Sequence, residues 1–204
     1  ESFLSDCHGR DHITHAELAV SNDGIFLGFK NETIANLGAY ASVFGTVTPT
    51  YLFGPCATGV YKIPAAYTNV KAVFTNTAPV DAYRGAGRPE ATYTIERLVE
   101  KAAVELGMDK TEIRMKNFPT EFPFQQTLVH SVDSGDYAAG MNKAKQMADY
   151  EGFEKRREES EAKGKLRGIG VTTYFEACGI APSAVVMSLG CGIGLWESAE
   201  VRFN

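Results

Sequence analysis

Apolar positions along the chain follow two periods. From Arg10 to Val20 polar and apolar residues partly alternate, with Ile13, His15, Leu18 and Val20 carrying the pattern; Ser21-Asn22-Asp23-Gly24 has turn composition, and Ile25 to Thr33 resumes a strand-like run. The pattern predicts a long β-hairpin. Asn36 to Tyr51 is rich in Gly, Ala, Ser and Thr, which suits backbone packed closely against something rather than an amphipathic element. A short helix is expected over Pro49 to Gly59 and a third strand over Val70 to Thr75.

The clearest helix begins near Pro89. It places Ala91, Ile95, Leu98, Val99, Ala102, Ala103 and Leu106 on one face and stops at Gly107. Asp109-Lys110-Thr111-Glu112 then reads as a capping box opening a short helix through Lys116, which Pro119 and Pro123 end. Tyr137, Met141, Ala144, Lys145 and Ala148 carry a further helical period, and the charged run Glu151 to Lys165 reads as a solvated helix or linker. Leu166 to Phe175 and Leu195 to Phe203 are expected to be strands. The fold class is therefore α+β, mixed α/β, with a boundary near Gly164 dividing the chain into units 1–163 and 164–204.

Composition narrows the function classes without naming one. Of 204 residues 44% are apolar, enough for a real core, while the formal charge of -5 and a pI near 5.4 argue against a nucleic-acid partner, which needs clustered Lys and Arg. No apolar run approaches the roughly 20 residues that span a bilayer, and no export signal opens the chain. Cys7, Cys56, Cys178 and Cys191 are scattered, with no C-x-x-C spacing, which suggests a reduced, cytoplasmic setting. Both ends look cut rather than finished.

The chemistry concentrates in Asp81-Ala82-Tyr83-Arg84-Gly85-Ala86-Gly87-Arg88. Two guanidinium groups flank small residues directly before a helix N-terminus, where amides and the helix dipole favour an anion and glycines allow close approach. A plain glycine turn with surface ion pairs fits the same residues, and both readings stay open on chemistry alone. Gly168-Ile169-Gly170 and Gly190-Cys191-Gly192-Ile193-Gly194 lack the order of strand, spaced glycines and helix that a dinucleotide site needs. His8, His12 and His15 suggest a metal, but on a strand His12 and His15 would point to opposite faces. Glu176 is either a perturbed carboxylate or a structural acceptor.

The ordered set Asp81 to Ala91, Glu96-Arg97, Glu105-Leu106-Gly107 and Arg114-Met115-Lys116-Asn117-Phe118 resembles the large subunit of aerobic carbon monoxide dehydrogenase-like enzymes, in the xanthine oxidase and aldehyde oxidase superfamily. Thr33 to Tyr40, Tyr61 to Pro64, Lys165 to Gly170, Glu176 to Gly179 and Trp196 to Val201 extend the resemblance across the chain. It implies an internal fragment of a molybdenum hydroxylase, with 1–163 most of the first molybdopterin-binding domain and 164–204 the start of the second. It further implies a molybdenum–molybdopterin cofactor in its cytosine dinucleotide form and hydroxylation with oxygen from water. Electrons would leave through a small [2Fe-2S] subunit to an FAD-binding medium subunit, in a dimer of heterotrimers. Arg84 falls on the family's active-site loop, and Gly85, Ala86 and Gly87 on the turn beside the cofactor; no residue of this chain is a direct metal ligand.

Two departures bear on the substrate. Where copper-containing members carry a cysteine after the loop arginine this chain has Gly85, which leaves a soft Cu(I) ion without a thiolate. Where xanthine oxidases carry a purine-orienting arginine and a stacking phenylalanine, an ungapped alignment gives Leu52 and Ala86, the two substrate-cavity candidates. A small aldehyde, aromatic or N-heterocyclic substrate is expected. The family's Gly-Gly-Phe-Gly loop and its glutamate general base would lie outside the chain, which is expected to be inactive alone. The rival reading is a noncatalytic scaffold that binds partner subunits.

Overall fold

The computed structural model describes residues 1–176, 183–188 and 199–203. A short helix α1 (Ser2–Ser5) leads into strands β1 (His12–Val20) and β2 (Phe26–Asn36), which pair antiparallel from His12 opposite Ala35 to Val20 opposite Phe26. The expected hairpin is present, closed by Gly24 at φ 85° and by the Ser21 amide donating to the Ile25 carbonyl. β2 alternates buried and exposed residues because one face of the sheet meets the core: Phe26, Phe29, Asn31, Thr33 and Ala35 are buried. Strand β3 (Ala66–Val73) starts earlier than the sequence suggested and runs parallel to β2, giving the order β1-β2-β3.

The connection between β2 and β3 is the Gly-rich segment. As its composition suggested, the backbone packs tightly there: a Cβ on Gly38 would lie 2.6 Å from Cα of Pro79. The helix expected over Pro49 to Gly59 divides into a π turn, Thr48–Leu52, and a 3-10 turn, Gly54–Cys56.

Helix α2 (Arg88–Leu106) covers the sheet with its predicted face, Ala91, Ile95, Val99 and Ala103 being buried and Leu98, Ala102 and Leu106 half-buried. Gly107, at φ 61°, ends it, its amide bonded to the carbonyls of Ala103 and Val104. Helix α3 (Lys110–Lys116) is capped by Asp109, which accepts from the amides of Thr111 and Glu112. Its C-cap, Asn117, joins it to the hairpin: the side chain accepts from the Phe26 amide and donates to the carbonyls of Gly24 and Ile113, each at 2.8 Å. Tyr61 lies at the centre of the core, edge-on to Phe26 and stacked on Phe118.

Beyond α3 a two-stranded ribbon, β4 (Phe124–Gln125) with β5 (Ser131–Val132), was not visible in the sequence; Gln126 and Thr127 anchor it by donating to the carbonyls of Gly59 and Ile63. Helices α4 (Tyr137–Met147) and α5 (Phe153–Glu161) follow, α5 with no buried residue, and α6 spans Ser183–Ser188.

The expected strand over Leu166 to Phe175 is corrected. The segment is extended and Ile169, Val171, Thr173 and Phe175 alternate inward, but its backbone joins no sheet. A side chain takes the place of a ladder: the Thr173 amide donates to Glu96 Oε2 at 3.1 Å, and Val171 and Phe175 pack against the core. Alternation in the sequence recorded burial, not pairing. Of the strand expected over Leu195 to Phe203, residues 195–198 lie outside the described residues and 199–203 form no strand. Among the described residues no helix is long and apolar enough to cross a membrane.

Candidate active-site loop

The loop from Asp81 to Arg88 is shaped by three constraints that meet from different parts of the chain. At its start, Asp81 is an acceptor hub, taking hydrogen bonds from Ser42 Oγ and from the amides of Phe44 and Ala82. Partial burial opposes the charge, but these donors prevail and hold the carboxyl below its usual range. The N-terminal segment runs alongside, with the His8 amide donating to the Pro79 carbonyl and the Asp81 amide to the His8 carbonyl.

At its end the loop makes a tight turn. Gly85, Ala86 and Gly87 all have positive φ, at 93°, 39° and 90°. Gly87 presses on the π turn so closely that a Cβ there would lie 2.6 Å from the Thr48 carbonyl oxygen and 2.7 Å from the Phe53 nitrogen. This brings the loop beside Leu52, which is half-buried, so the two substrate-cavity candidates share one region. A Cβ on Gly85 would meet the Pro89 ring at 2.6–2.7 Å, so a cysteine side chain there requires the turn to move.

The third constraint is Arg10, whose Nη2 donates to the Arg84 carbonyl, whose guanidinium carbon lies 4.7 Å from the Tyr83 ring centre, and whose Nε is 3.6 Å from Glu90 Oε2. With the backbone so held, the turn leaves backbone donors unused, on half-buried Gly85 and on buried Gly87. Gly87 caps α2 without a side-chain acceptor, and among the described residues the amides of Gly85 and Gly87 have no acceptor and the Arg84 guanidinium has no ion pair.

The two arginines of the loop serve different ends. Arg84 is exposed, whereas Arg88 is buried, donates from Nη1 to the Ala86 carbonyl at 3.2 Å and lies 3.9 Å from Glu176. Glu176, with a side chain 43% exposed, is thus within ion-pair range of Arg88. Close by, Cys56 Sγ is 3.4 Å from His130 Nε2. Burial pushes the Cys56 thiol up to about 11 against the pull of Arg88, and burial, reinforced by Arg88, pushes His130 down. The pair is thus held neutral at ordinary pH.

The histidines do not converge. His12 is half-buried against Phe53, with burial lowering its affinity for a proton, His15 lies on the same strand three positions on, and His8 sits beside Val80. Among the described residues no group of three His, Cys, Asp or Glu is arranged to hold a metal ion. Gly190 to Gly194 and Cys178 lie outside the described residues.

Sequence reasoning missed Arg10 and the buried knot under the middle of α2. There Glu96 accepts from Arg114 Nε at 2.9 Å, from the hydroxyls of Tyr61 and Thr173 and from the Thr173 amide. A carboxylate next to Ile95 in the apolar stripe was the available signal for Glu96; nothing local marks Arg10.

Residues 1–118 match the model of the molybdopterin cofactor-binding domain. The whole chain is 37% identical to part of the carbon monoxide dehydrogenase large chain of Hydrogenophaga pseudoflava, covering 26% of it. Over 88% of its length it is 34% identical to subunit gamma of the 6-hydroxypseudooxynicotine dehydrogenase complex of Paenarthrobacter nicotinovorans, covering 23% of that subunit. The fold matches the crystal structure of quinoline 2-oxidoreductase from Pseudomonas putida 86 with a TM-score of 0.84 and 33% identity, over 92% of this chain and 24% of that one. The chain thus spans about a quarter of the length of each of these relatives. It belongs to the molybdopterin cofactor-binding domain family, within the large subunits of the molybdenum hydroxylases.

Proposed function

We propose that this chain is the part of a molybdenum hydroxylase large subunit that holds the turn Arg84-Gly85-Ala86-Gly87 against the cofactor, with Arg84 in the active site. The observation that carries the reading is the turn itself. Its left-handed backbone over Gly85, Ala86 and Gly87 leaves the half-buried Gly85 amide without an acceptor among the described residues, beside the exposed Arg84 guanidinium, which has no ion pair among them and can face an anionic or oxygen-rich group. Such a surface fits an oxo-bearing metal carried on a pterin. When bound, the cofactor supplies the metal that activates water for hydroxylation. The chain would supply position: the Gly85 amide and Arg84 would hold the cofactor's oxygen-rich groups, and Leu52 and Ala86 would wall the neighbouring space with apolar groups.

The whole protein then hydroxylates a small aldehyde, aromatic or N-heterocyclic substrate with oxygen taken from water. Gly85 offers no thiolate for copper, which disfavours carbon monoxide as the substrate. Leu52 and Ala86 offer neither a guanidinium nor an aromatic plate, which disfavours purines. An aromatic N-heterocycle is the reading we favour, because the quinoline-acting relative shares this fold so closely. The cofactor is the cytosine dinucleotide form, FAD and [2Fe-2S] centres reside on medium and small subunits, and the assembly is a cytoplasmic dimer of heterotrimers. The division near Gly164 belongs to the same proposal, supported by the left-handed turn at Gly164, φ 65°, just beyond the solvated α5.

Molybdenum and pterin analysis of the intact complex, followed by a screen of aldehydes, quinoline-type heterocycles, purines and carbon monoxide, tests this reading. Stoichiometric molybdenum with turnover of a heterocycle or aldehyde is expected. A complex containing neither metal nor pterin would establish a noncatalytic scaffold, and oxidation of carbon monoxide would overturn the argument from Gly85.

A further inference from the structure

We infer that Arg10 is a positioning residue for the cofactor-side turn, acting on it both as a three-point clamp and as the neutraliser of Glu90; the inference rests on the function proposed above. Arg10 lies far from the loop in sequence yet touches two of its residues, Tyr83 and Arg84, and Glu90 just beyond its end. Its ring contact is to Tyr83, its hydrogen bond is to the carbonyl of Arg84, and its ion pair is to Glu90 in the first turn of α2. A guanidinium makes these contacts together because its donors are fixed in one plane, where an ammonium would concentrate on one partner. The neighbouring backbone is shaped around these contacts. A Cβ on Gly9 would lie 2.6 Å from Cβ of Tyr83, and Arg10 itself has φ 59°, a conformation that costs a non-glycine residue and persists where the surroundings hold it.

Each contact has a consequence for the turn. Fixing the Arg84 carbonyl fixes the peptide plane between Arg84 and Gly85, and hence the direction of the open Gly85 amide. The pairing with Glu90 is electrostatic. A carboxylate in the first turn of α2 suits the helix dipole but opposes any anion that approaches the same amides. The Glu90 side chain is nine-tenths buried and Arg10 about two-thirds, so the opposing charge is cancelled where solvent screens it least. Arg10 thereby leaves the helix end electropositive toward an anionic group that approaches the turn. Arg84 remains the group that faces outward.

The test uses the intact enzyme with its partner subunits and three variants, Arg10→Ala, Arg10→Lys and Glu90→Gln. Hydrogen exchange of the amides of residues 84–88 and molybdenum content per large subunit are measured beside turnover. In Arg10→Ala we expect loop amides to exchange at least tenfold faster, exchange in Ile95–Leu106 to stay as in the parent, and molybdenum content to fall several-fold. Arg10→Lys should recover the metal only in part, since charge returns without the fork. Glu90→Gln, which removes the opposing charge and leaves the bond to Arg84, should keep molybdenum near the parental level even if Arg10→Ala cannot be purified. Parental exchange and parental molybdenum in Arg10→Ala would overturn the inference while leaving the proposed function intact. Full rescue by Arg10→Lys would overturn the clamp, and loss of metal in Glu90→Gln would overturn the neutralising role. A parent enzyme without molybdenum would instead overturn the proposed function.

Discussion

At the N-terminus of α3 the side chain of Asp109 accepts from the amides of Thr111 at 2.8 Å and Glu112 at 3.1 Å, whereas at the N-terminus of α2 Gly87 brings no acceptor at all. Both helices begin with backbone donors that the helix itself does not satisfy, one fewer at α2 because Pro89 has no N–H. At α3 the protein satisfies those donors itself, and the surrounding groups follow suit: Tyr150 adds a bond to Asp109, and Arg114 and Asn117 are buried and engaged. At α2 the Arg88 amide turns back to the Gly85 carbonyl and Pro89 brings no N–H, while just before the helix the Gly85 amide has no acceptor and Arg84 no ion pair among the described residues, on a turn whose shape is enforced from outside by Arg10, Asp81 and the π turn. The contrast separates stability from function between two neighbouring helix ends. Substitutions near α3 should lower stability and spare the cofactor, and substitutions at the start of α2 should act on the cofactor.

The largest effect on stability is expected from Arg114→Met. It strips Glu96 of its closest cation in a site where the Arg114 side chain is only 1% exposed, so about 3–5 kcal/mol should be lost in denaturant unfolding of the intact subunit. A loss below that of an ordinary surface ion pair would show that the knot is solvated and would blur the contrast.

Gly87→Ala sits on both sides of the comparison. The added methyl forces φ 90° on an alanine and drives Cβ into the backbone of Thr48 and Phe53, so a cost of about 1–3 kcal/mol is expected. Molybdenum content should fall with it, and parental metal content would separate the turn from the cofactor.

Asp109→Ala should cost about 1 kcal/mol through the lost cap and leave molybdenum content unchanged. The same residue gives a pH dependence. Hydrogen bonds from Thr111, Tyr150 and the backbone outweigh partial burial and hold its carboxyl at about 2, below the usual 3.8. A folded-state value below the unfolded one means stability that is present above pH 3.8 and is lost as pH falls toward 2. Because the group is mostly exposed, solvent screening limits the contribution to about 1 kcal/mol or less. Acid unfolding curves of parent and Asp109→Ala should therefore converge below that window, and parallel curves would remove the assignment.

Arg84→Ala should move stability least, by about 0.5 kcal/mol or less, because the side chain is exposed and has no ion pair among the described residues. Turnover or molybdenum occupancy should nonetheless drop severely. Parental values of both would take Arg84 out of the active site and dissolve the comparison.

What was legible in the sequence follows from the range of the interactions. Strand β1, the turn at Gly24, the buried face of α2, its stop at Gly107 and the Asp109 cap all rest on residues within a few positions of one another, so periodicity and capping chemistry reported them correctly. The loop residues Arg84 to Gly87 were legible as a candidate because glycines before a helix carry local meaning. Their surroundings were not, since the bond from Arg10 to Arg84 spans 74 positions and that from Thr173 to Glu96 spans 77. The extended run from Leu166 failed for a related reason: alternation encodes which side is buried, and a side-chain acceptor can satisfy the backbone as well as a neighbouring strand.

Local spacing and ordered motifs were thus enough to define most elements, their inward faces and the family to which the chain belongs. Which polar groups are satisfied and which stay open emerged from the folded arrangement alone. Folding buried Arg88 and left Arg84 exposed within one loop, and it assigned Glu176 to Arg88 and Arg10 to the turn. The physical reason is that a charged side chain acquires its role from the partner that compensates it, and those partners come from distant parts of the chain.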